Sequence, residues 1–370
     1  MSRGPIAATV ALLAAGAAVL AVRSTDPADA GGGSAPAVGS VTGKWLALAP
    51  ATLERTEVAA ARIGRSIYVV GGFEKSTGKS TGALERYDIR EDRWSRLRSM
   101  PIGVNHPAAA ELGGKLYLHG GYRARGALSS TSRRLYVYSP SSNRWRRLPD
   151  ARTARGAHVF AALDGRLYAA GGRGEGGELR SMEIYDPTRR RWRAGPPLKG
   201  PPRDHMTGVA AGGYLYALAG RDPTGPGNYR TAERYDPRRR RWRLLPEMSK
   251  ARGGIAAAAV SGGGSRVRCS PETGTSGARR NNVPAARLPR RSGCAPSHRV
   301  VVFGGEEPAG TIAEVEIYDP KRRRWRSLPD MRTPRHGLGG ASLGDRVYAL
   351  EGGPQPGFFF ADTLEYLDVR

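Results

Sequence analysis

The hydrophobic positions of this chain fall in short runs, and turn-forming residues separate these runs at regular intervals. Runs such as Val58–Ala61 and Tyr68–Val70 are separated by turns that contain Gly, Pro, Asp or Asn. Short runs of this kind are typical of β-strands joined by tight turns, whereas a helix needs a longer segment with apolar residues three and four positions apart. Glycine, at 51 of 370 residues, and proline, at 27, also disfavour helix interiors. The pattern therefore predicts an all-β fold.

A motif that ends in a glycine pair or a close variant of it recurs six times along the chain. Its copies are Tyr68–Gly72, Tyr117–Gly121, Tyr168–Gly172, Tyr216–Gly220, Val301–Gly305 and Tyr348–Gly352. A Glu-x-Tyr-Asp element follows, as Glu85–Asp88, Glu183–Asp186, Glu233–Asp236 and Glu316–Asp319, with the divergent copies Tyr136–Ser139 and Glu365–Asp368. Six residues further on stands a tryptophan, at Trp94, Trp145, Trp192, Trp242 and Trp325. Each unit predicts four short strands that cannot bury both faces alone, so the units must pack against one another.

The glycine pair, the Tyr-Asp element and the spaced tryptophan resemble the Kelch repeat, whose period is about 50 residues. The resemblance covers residues 45–370 and implies a six-bladed β-propeller with four antiparallel strands per blade. The sixth unit stops at Arg370 without its tryptophan, whereas Trp45 lies on a strand with no unit before it. We therefore expect the N-terminal strand around Trp45 to complete the last blade, beside Glu365–Asp368.

The first 30 residues have the pattern of a targeting segment. Arg3 precedes the apolar run Ile6–Val22, and a small-x-small site follows at Ala28–Ala30. This pattern predicts a secretory signal peptide in residues 1–30, or an uncleaved N-terminal membrane anchor, followed by a flexible linker in residues 31–44. The chain is therefore expected to be extracytoplasmic, either secreted or anchored by this segment.

One interval between glycine pairs is longer than the others. From Ala219 to Gly304 the chain is 85 residues long, and the excess falls in a basic, nonperiodic insert, residues 265–298, between the first two strands of blade 5. The insert holds both cysteines, Cys269 and Cys294. In an exported protein they are expected to form a disulfide; the alternative is an insert with two free thiols.

The charge of the chain favours anionic partners. Lys and Arg number 59 against 33 Asp and Glu, for a net charge of +26, and all but seven of the basic residues are arginines. An arginine bias in the coding sequence would give the same net charge without any function. The positions of the basic residues are therefore more informative than the net charge. We expect an acidic or carbohydrate ligand, or a protein partner, bound to a monomer. Nucleic acid is not expected, because aromatic residues do not alternate with the charges.

In four blades, the segment that leads into the first strand carries an arginine sixteen residues before the first glycine-pair position; Arg252 of blade 5 matches by its spacing to the next turn, and blade 2 has Val104–Asn105 there. These candidate ligand-binding residues, with the histidines beside them, are Arg55, His106, Arg155, His158, Arg203, His205, Arg252, Arg335 and His336. In a propeller they share one face with the loops after the second strands, here called the mouth face. They form either a basic mouth that binds a carboxylate or phosphate, or braces that hold the turn.

An enzyme is the alternative interpretation. Exported Kelch proteins include sugar mutarotases, and this resemblance implies acid–base chemistry in the central channel. No catalytic residue and no cofactor is assigned from the sequence, and the copper site of galactose-oxidase-like Kelch enzymes is excluded because neither cysteine lies in a channel strand. A metal site is not expected either, since the four histidines come from four blades and three registers.

A second basic surface is predicted on the opposite face, here called the turn face, at the turns between third and fourth strands. Its residues are Arg189, Arg190, Arg191, Arg238, Arg239, Arg240, Arg241, Lys321, Arg322, Arg323 and Arg324. They fall on the adjacent blades 3, 4 and 5. This surface could face an anionic membrane or an acidic polymer, or consist of solvated arginines without a partner.

Overall fold

The computed structural model describes residues 43–123, 130–225, 227–261 and 298–369, and these residues form strands and turns without a helix. Within them, six four-stranded antiparallel sheets follow one another along the chain. Blade 1 consists of Ala59–Ile63, Ser66–Val70, Leu84–Asp88 and Arg93–Leu97, blade 2 of Ala108–Leu112, Lys115–His119, Leu135–Ser139 and Arg144–Leu148, and blade 3 of Val159–Leu163, Arg166–Ala170, Met182–Asp186 and Arg191–Gly195. Blade 4 consists of Thr207–Ala211, Tyr214–Leu218, Ala232–Asp236 and Arg241–Leu244, blade 5 of Ala256–Ser261, His298–Phe303, Val315–Asp319 and Arg324–Leu328, and blade 6 of Gly339–Leu343, Arg346–Leu350, Leu364–Asp368 and Leu46–Ala47.

The six sheets are arranged as a closed β-propeller. The first strand of each blade contacts the first strands of both neighbouring blades, and the cycle closes between blade 6 and blade 1. These first strands are rich in alanine and glycine, which lets six backbones approach a common axis. The tyrosines and tryptophans of the outer strands fill the wider gaps between blades.

The N-terminal strand completes blade 6, as the sequence predicts. Leu46 pairs with Tyr366 and Ala47 with Glu365, so Leu46–Ala47 lies antiparallel to the third strand of that blade. The indole of Trp45 is buried, with 4% of its surface exposed. The prediction that Trp45 lies beside Glu365–Asp368 is therefore confirmed.

The tryptophans link each blade to the one before it. Each indole Nε1 donates a hydrogen bond to a backbone carbonyl just after the fourth strand of the preceding blade. The pairs are Trp94–Ala49, Trp145–Arg98, Trp192–Pro149, Trp242–Pro196, Trp325–Pro246 and Trp45–Pro329, at 2.8–3.1 Å. Because Trp45 makes the last of these bonds, the N-terminal strand closes the ring through hydrogen bonds and packing together.

Four short sheets lie on the mouth face, one of three strands and three of two strands. They are Arg55–Thr56 with Phe73–Glu74 and Lys79–Ser80, Arg173–Gly174 with Gly177–Glu178, Arg221–Asp222 with Gly227–Asn228, and Glu306–Glu307 with Gly310–Thr311. The glycine pair that precedes them is a steric requirement. A Cβ at Gly72, where φ is 91°, would lie 2.5 Å from the carbonyl oxygen of Thr56.

The predicted insert belongs to the segment that joins the first two strands of blade 5. Ser261 pairs with His298 at the ends of the first two strands of blade 5, so residues 262–297 connect these two strands. Residues 1–42 and 262–297, which include Cys269, Cys294 and the targeting segment, lie outside the described residues; the disulfide, the targeting segment and most of the linker therefore stay predictions. In the part of the chain that is described, no helix has the length and hydropathy needed to cross a membrane.

Candidate functional site

The five repeated arginines lie inside the blades, with 0% of each side chain exposed. Each pairs with the glutamate of the Glu-x-Tyr-Asp element of its own blade. The pairs are Arg55–Glu85, Arg155–Glu183, Arg203–Glu233, Arg252–Glu316 and Arg335–Glu365, with N–O distances of 2.8–3.5 Å. A ligand in the channel cannot contact side chains that reach no solvent, so their burial favours the brace over the ligand site.

The contacts of these arginines show how the brace works. In blade 3, Arg155 Nη1 donates to the carbonyl oxygens of Gly171, at 2.8 Å, and Ser181, at 3.1 Å. The carboxylate of Glu183 in turn accepts the backbone N–H groups of Arg152 and Thr153. One ion pair therefore ties the glycine pair, the third strand and the segment that leads into the blade.

Blade 2 lacks both members of this pair. Val104 stands at the arginine position and Tyr136 at the glutamate position. Both side chains are buried and belong to one apolar cluster. The arginine and the glutamate occur together in five blades, and blade 2 lacks both. The pair therefore stabilises its own blade and does not bind a ligand shared by all blades.

The residues two positions after the arginines form a ring of left-handed backbone at the channel mouth. They are Glu57, His106, Ala157, His205, Gly254 and Gly337, with φ between 47° and 66°. Four of them donate an N–H to the carbonyl of the equivalent residue in the preceding blade, at 2.8–3.0 Å. Three of the six carry long side chains, and these converge on the channel axis.

A connected polar network, here called the mouth cluster, forms around these three side chains. It consists of Glu57, His106, Asp204, His205, Arg221, Glu306 and His336. His106 Nε2 lies 3.0 Å from His205 Nε2 and 3.1 Å from Glu57 Oε2. Arg221 Nη2 lies 2.9 Å from His205 Nε2, and Arg221 Nη1 lies 2.6 Å from Glu306 Oε1. The cluster brings ionisable groups of five blades together.

Burial and neighbouring charges shift the pKa values in the mouth cluster. Burial lowers the pKa of His106 to about 4, although the Glu57 carboxylate opposes the shift. Burial would raise the pKa of Glu57, but His106 and His336 hold it below its usual value. Burial would also lower the pKa of His336, but the hydrogen bond to Glu57 and the charges of Glu57 and Glu306 raise it above 6.5. At neutral pH the cluster therefore holds Glu57 as a carboxylate and His106 as a neutral imidazole.

A cavity of about 120 Å³ lies in the channel beside the mouth cluster. Glu57, His106 and His205 line it at one end, and alanine and glycine residues of the first strands line its walls. A second cavity of about 520 Å³ lies at the other end of the channel, where Arg62, Glu111 and His298 are found. The mouth cluster thus narrows the channel on the mouth face.

The other predicted histidines have separate surroundings. His158 Nε2 lies 2.8 Å from His119 Nδ1, in a buried pair between blades 2 and 3. Burial lowers the pKa of both, that of His119 to about 3, so the pair is neutral. His336 belongs to the mouth cluster, with Nδ1 3.3 Å from Glu57 Oε1.

The arginine groove is a basic cavity of about 610 Å³ on the mouth face between blades 2 and 3. Its charged residues are Arg123, Arg133, Arg134, Arg147, Asp150, Arg152 and Glu175. Asp150 pairs with Arg147 at 2.7 Å and with Arg133 at 3.7 Å. Within the described ranges, no carboxylate lies within 4.0 Å of a side-chain nitrogen of Arg123, Arg134 or Arg152. The groove therefore has an excess of positive charge that faces solvent.

On the turn face, all eleven predicted basic residues are exposed. One arginine in each turn pairs with the aspartate of its own blade, as Arg189 does with Asp186 at 2.9 Å. These turns begin at Pro187, Pro237 and Pro320. Their fourth residues have left-handed backbone, with φ of 50–52° at Arg190, Arg240 and Arg323. Blades 1 and 2 have Asp92 and Asn143 there, which accept the hydroxyls of Tyr87 and Tyr138.

Sequence reasoning named the residues of the mouth but missed two of their relations. His106, His205 and Glu57 share one register, fourteen residues before the first glycine-pair position, and this shared register was the signal that the three side chains meet. Sequence reasoning also missed the arginine groove. The cluster Arg133–Arg134, close in sequence to Arg147 and Arg152, was the available signal.

Comparisons with known proteins agree with the fold and the repeats. A model of the KLHDC2/KLHL20/DRC7 Kelch-repeats domain matches residues 57–265, and a Kelch motif model matches residues 287–332. Beta-scruin of Limulus polyphemus is 32% identical over 170 residues, which cover 44% of this chain and 18% of beta-scruin. Kelch-like protein terF of Aspergillus terreus is 26% identical over 315 residues, which cover 80% of this chain and 61% of terF. The chain spans less than two thirds of the length of these curated relatives.

A solved structure shows the same fold. The structure of YjhT is similar with a TM-score of 0.64 at 14% identity, covering 85% of this chain and 95% of YjhT. At this identity the likeness concerns the fold alone. Since the domain model covers more than half of the chain and its motifs build the blades described above, the chain belongs to the Kelch-repeat family.

Proposed function

We propose that this chain is an extracytoplasmic interaction module that binds an acidic segment of a protein partner on its mouth face. Kelch propellers commonly act as protein-interaction modules, and the family membership of this chain supports that general role. The apolar run Ile6–Val22 after Arg3 supports the location. The acidic character of the partner follows from the arginine groove.

The arginine groove is the observation that carries the proposal. Arg123, Arg133, Arg147 and Arg152 are exposed, whereas the buried arginines of the blades are neutralised by glutamates. Guanidinium groups bind carboxylates through two parallel hydrogen bonds, and several of them along a groove match an extended acidic chain. The volume of about 610 Å³ is within the range of protein ligand sites.

An aromatic cluster on the same face favours a protein over a polysaccharide. Phe358 packs edge-on against Phe73 and Phe360, with ring centroids 4.9 and 4.8 Å apart. Phe358 and Phe359 nevertheless expose 39% and 43% of their surfaces. Aromatic residues and arginine together are the residue types enriched at protein interfaces.

The experiment compares two pairs of arginine substitutions in the full chain. The probe is a fluorescent peptide of alternating Glu and Gly, and its binding is followed by fluorescence anisotropy. Arg133→Ser/Arg152→Ser is expected to weaken binding at least about tenfold, which corresponds to about 1.4 kcal/mol. The matched control Arg238→Ser/Arg241→Ser removes the same charge from the turn face and is expected to bind like the wild type.

Two outcomes would overturn the proposal. Equal weakening by both variants would show that net charge, and not the groove, binds the peptide. Binding of a sulfated polysaccharide but not of the acidic peptide would point to a carbohydrate ligand in place of a protein. Affinity is measured at low and high salt, because exposed ion pairs weaken as salt rises.

The turn face supports a second binding function, toward an anionic surface. Its eleven exposed cations lie on three adjacent blades. Near an anionic leaflet each arginine contributes about 1 kcal/mol. Co-sedimentation with phosphatidylserine vesicles is expected for the wild type at low salt and to be lost in Arg238→Gln/Arg240→Gln/Arg241→Gln. Binding that persists at high salt or in this variant would contradict the idea.

A sugar mutarotase is less well supported by the channel. The cavity beside the mouth cluster, about 120 Å³, is smaller than the ~150 Å³ cavity known to hold benzene, and a pyranose is larger than benzene. The groups that would act as acid and base, His106 and Glu57, also contact each other. The geometry beside the mouth cluster therefore favours binding on the mouth face over sugar chemistry at that cluster.

A further inference from the structure

Three side chains of the mouth cluster direct ligand atoms at one point near the channel axis. One nitrogen each of His106 and His205 and one carboxylate oxygen of Glu57 all lie within 4.8 Å of one another. The His106 Nε2 distances to His205 Nε2 and Glu57 Oε2 are 3.0 and 3.1 Å. A zinc ion bound at about 2.0–2.1 Å in a tetrahedral site separates its ligand atoms by about 3.3 Å. The two distances from His106 Nε2 are therefore within a few tenths of an ångström of those in such a site, and the His205 and Glu57 ligand atoms are no more than 4.8 Å apart.

The hydrogen bonds behind the two imidazoles fix which nitrogen faces the axis. His205 Nδ1 lies 2.8 Å from Asp204 Oδ1, and His106 Nδ1 lies 2.6 Å from Asn105 Oδ1. The Asn105 amide is oriented by its Nδ2, which donates to Ser80 Oγ at 2.8 Å. Since a carboxylate or amide oxygen accepts a hydrogen bond from Nδ1–H, the tautomer that makes this bond presents a bare Nε2 lone pair to the axis.

This arrangement is the one that orients histidine ligands in metal proteins. A metal-bound histidine almost always donates its other N–H to a carboxylate or carbonyl oxygen, which fixes the tautomer and the ring orientation. Here both histidines have such an acceptor, and the third group is a carboxylate. Two bare lone pairs 3.0 Å apart repel each other unless a cation lies between or beside them.

Arg221 is the cation that now lies beside them. Its Nη2 is 2.9 Å from His205 Nε2, and it also pairs with Glu306 at 2.6 Å and approaches Asp204 at 3.8 Å. With 31% of its side chain exposed, Arg221 can leave His205 while it keeps Glu306. His336 lies on the far side of Glu57, against Oε1, and leaves Oε2 directed at His106.

We propose that Glu57, His106 and His205 bind one divalent transition-metal ion, of the zinc class, at the channel mouth. Imidazole nitrogen with carboxylate oxygen is a ligand set that suits zinc and its neighbours better than calcium or magnesium. The cavity beside the cluster leaves room for water as a fourth ligand. The ion would link blades 1, 2 and 4 across the channel, so its binding stabilises the ring.

The test uses the full chain without an affinity tag, carrying Cys269→Ser and Cys294→Ser so that thiols cannot bind the metal. After treatment with a chelator and its removal, the protein is titrated with Co²⁺, followed by visible absorption, and with Zn²⁺, followed by calorimetry. One ion per chain is expected, with the absorption of a four-coordinate cobalt site. Zn²⁺ at a hundred times its Kd should also stabilise the fold, which appears as a higher unfolding temperature.

Variants locate the site. His106→Gln, His205→Gln and Glu57→Gln are each expected to weaken Zn²⁺ binding at least about tenfold. His298→Gln, at the other end of the channel, is the matched control and is expected to bind like its parent. Urea unfolding of the metal-free variants identifies those that fold, and binding is compared among these. Absence of stoichiometric binding to the parent, or unchanged binding in the folded variants of the three ligands, would overturn the proposal.

Discussion

Arg252 and Glu316 form a buried ion pair in blade 5, and blade 2 shows what can replace it. Arg252 Nη2 lies 3.1 Å from Glu316 Oε2, with 0% and 3% of the side chains exposed. Val104 and Tyr136 occupy the equivalent positions of blade 2, where the third strand has the same register. The perturbation is therefore a set of three variants: Arg252→Val, Glu316→Tyr and the double variant, which gives blade 5 the residues of blade 2.

The structure sets the expected magnitudes. Arg252→Val leaves the Glu316 carboxylate buried and also removes hydrogen bonds to the carbonyl oxygens of Gly304 and Glu314, at 3.1 and 2.8 Å. Glu316→Tyr leaves the guanidinium buried without its counter-charge. Removing one partner of a buried pair costs about 3–5 kcal/mol, because the other charge remains uncompensated. The double variant removes both charges, so we expect it to be less destabilised than the sum of the single variants, by at least about 2 kcal/mol.

The assay is urea unfolding followed by tryptophan fluorescence, and the coupling free energy is taken from the double-mutant cycle. The exposed pair Lys75–Glu54, at 2.7 Å, is the control, and its alanine cycle should give a coupling below about 1 kcal/mol. If the effects in blade 5 are additive within about 0.5 kcal/mol, the arginine and the glutamate do not act as a unit, and the argument from blade 2 fails.

Three further predictions concern stability. Burial raises the pKa of Glu351 to about 7, so its neutral carboxyl favours the fold below an unfolded value of 4.5, and this contribution is lost as pH rises through 7. Urea unfolding should therefore show wild-type stability falling as pH rises through 7 and a smaller fall in Glu351→Gln, which keeps an acceptor for Arg55; the same fall in both proteins would contradict this. Trp45→Phe removes the indole donor to the Pro329 carbonyl and should lower the free energy of unfolding by about 1–3 kcal/mol, measured by calorimetry. An unchanged unfolding temperature would argue against ring closure through this bond. Arg190→Asn should raise the free energy of unfolding in urea by up to about 1 kcal/mol, because Asn tolerates a φ of 50°. The equivalent Asn143 of blade 2 also accepts the hydroxyl of Tyr138. Destabilisation would show that the arginine side chain packs favourably at this position.

The fold could be predicted in detail because every repeat places the same residue types at the same backbone positions. The glycine pairs mark left-handed positions, and the tryptophans mark fourth strands, so the position of Trp45 alone was enough to place the closing strand. The backbone requirement is strict at such points, as the close approach of a Gly72 Cβ to Thr56 shows. Steric requirements of this kind are visible in a sequence because few residues satisfy them.

The direction of the arginine side chains could not be predicted in the same way. A repeated arginine in the segment leading into a blade is long enough to point into the channel or into the blade. The choice is made by Glu85 and its equivalents, which lie about 30 residues away in blade 1 and up to 64 in blade 5. The joint loss of both residues in blade 2, at Val104 and Tyr136, was the one sign of the pairing that the sequence contained.

Positions that the repeats share and positions at which they differ have separate roles, and this difference explains where a site can form in the ring. Residues that all or nearly all blades share, such as the tryptophans and the Arg–Glu pairs, hold the blades together, and a ligand has no access to the buried pairs. At the left-handed positions of the mouth the blades share the backbone but not the side chain. Six long side chains there would collide: a Cβ at Gly337 would already lie 2.7 Å from the carboxylate of Glu57. Glycine or alanine at three positions therefore makes room for Glu57, His106 and His205 to meet, and the departure from the repeat creates the cluster.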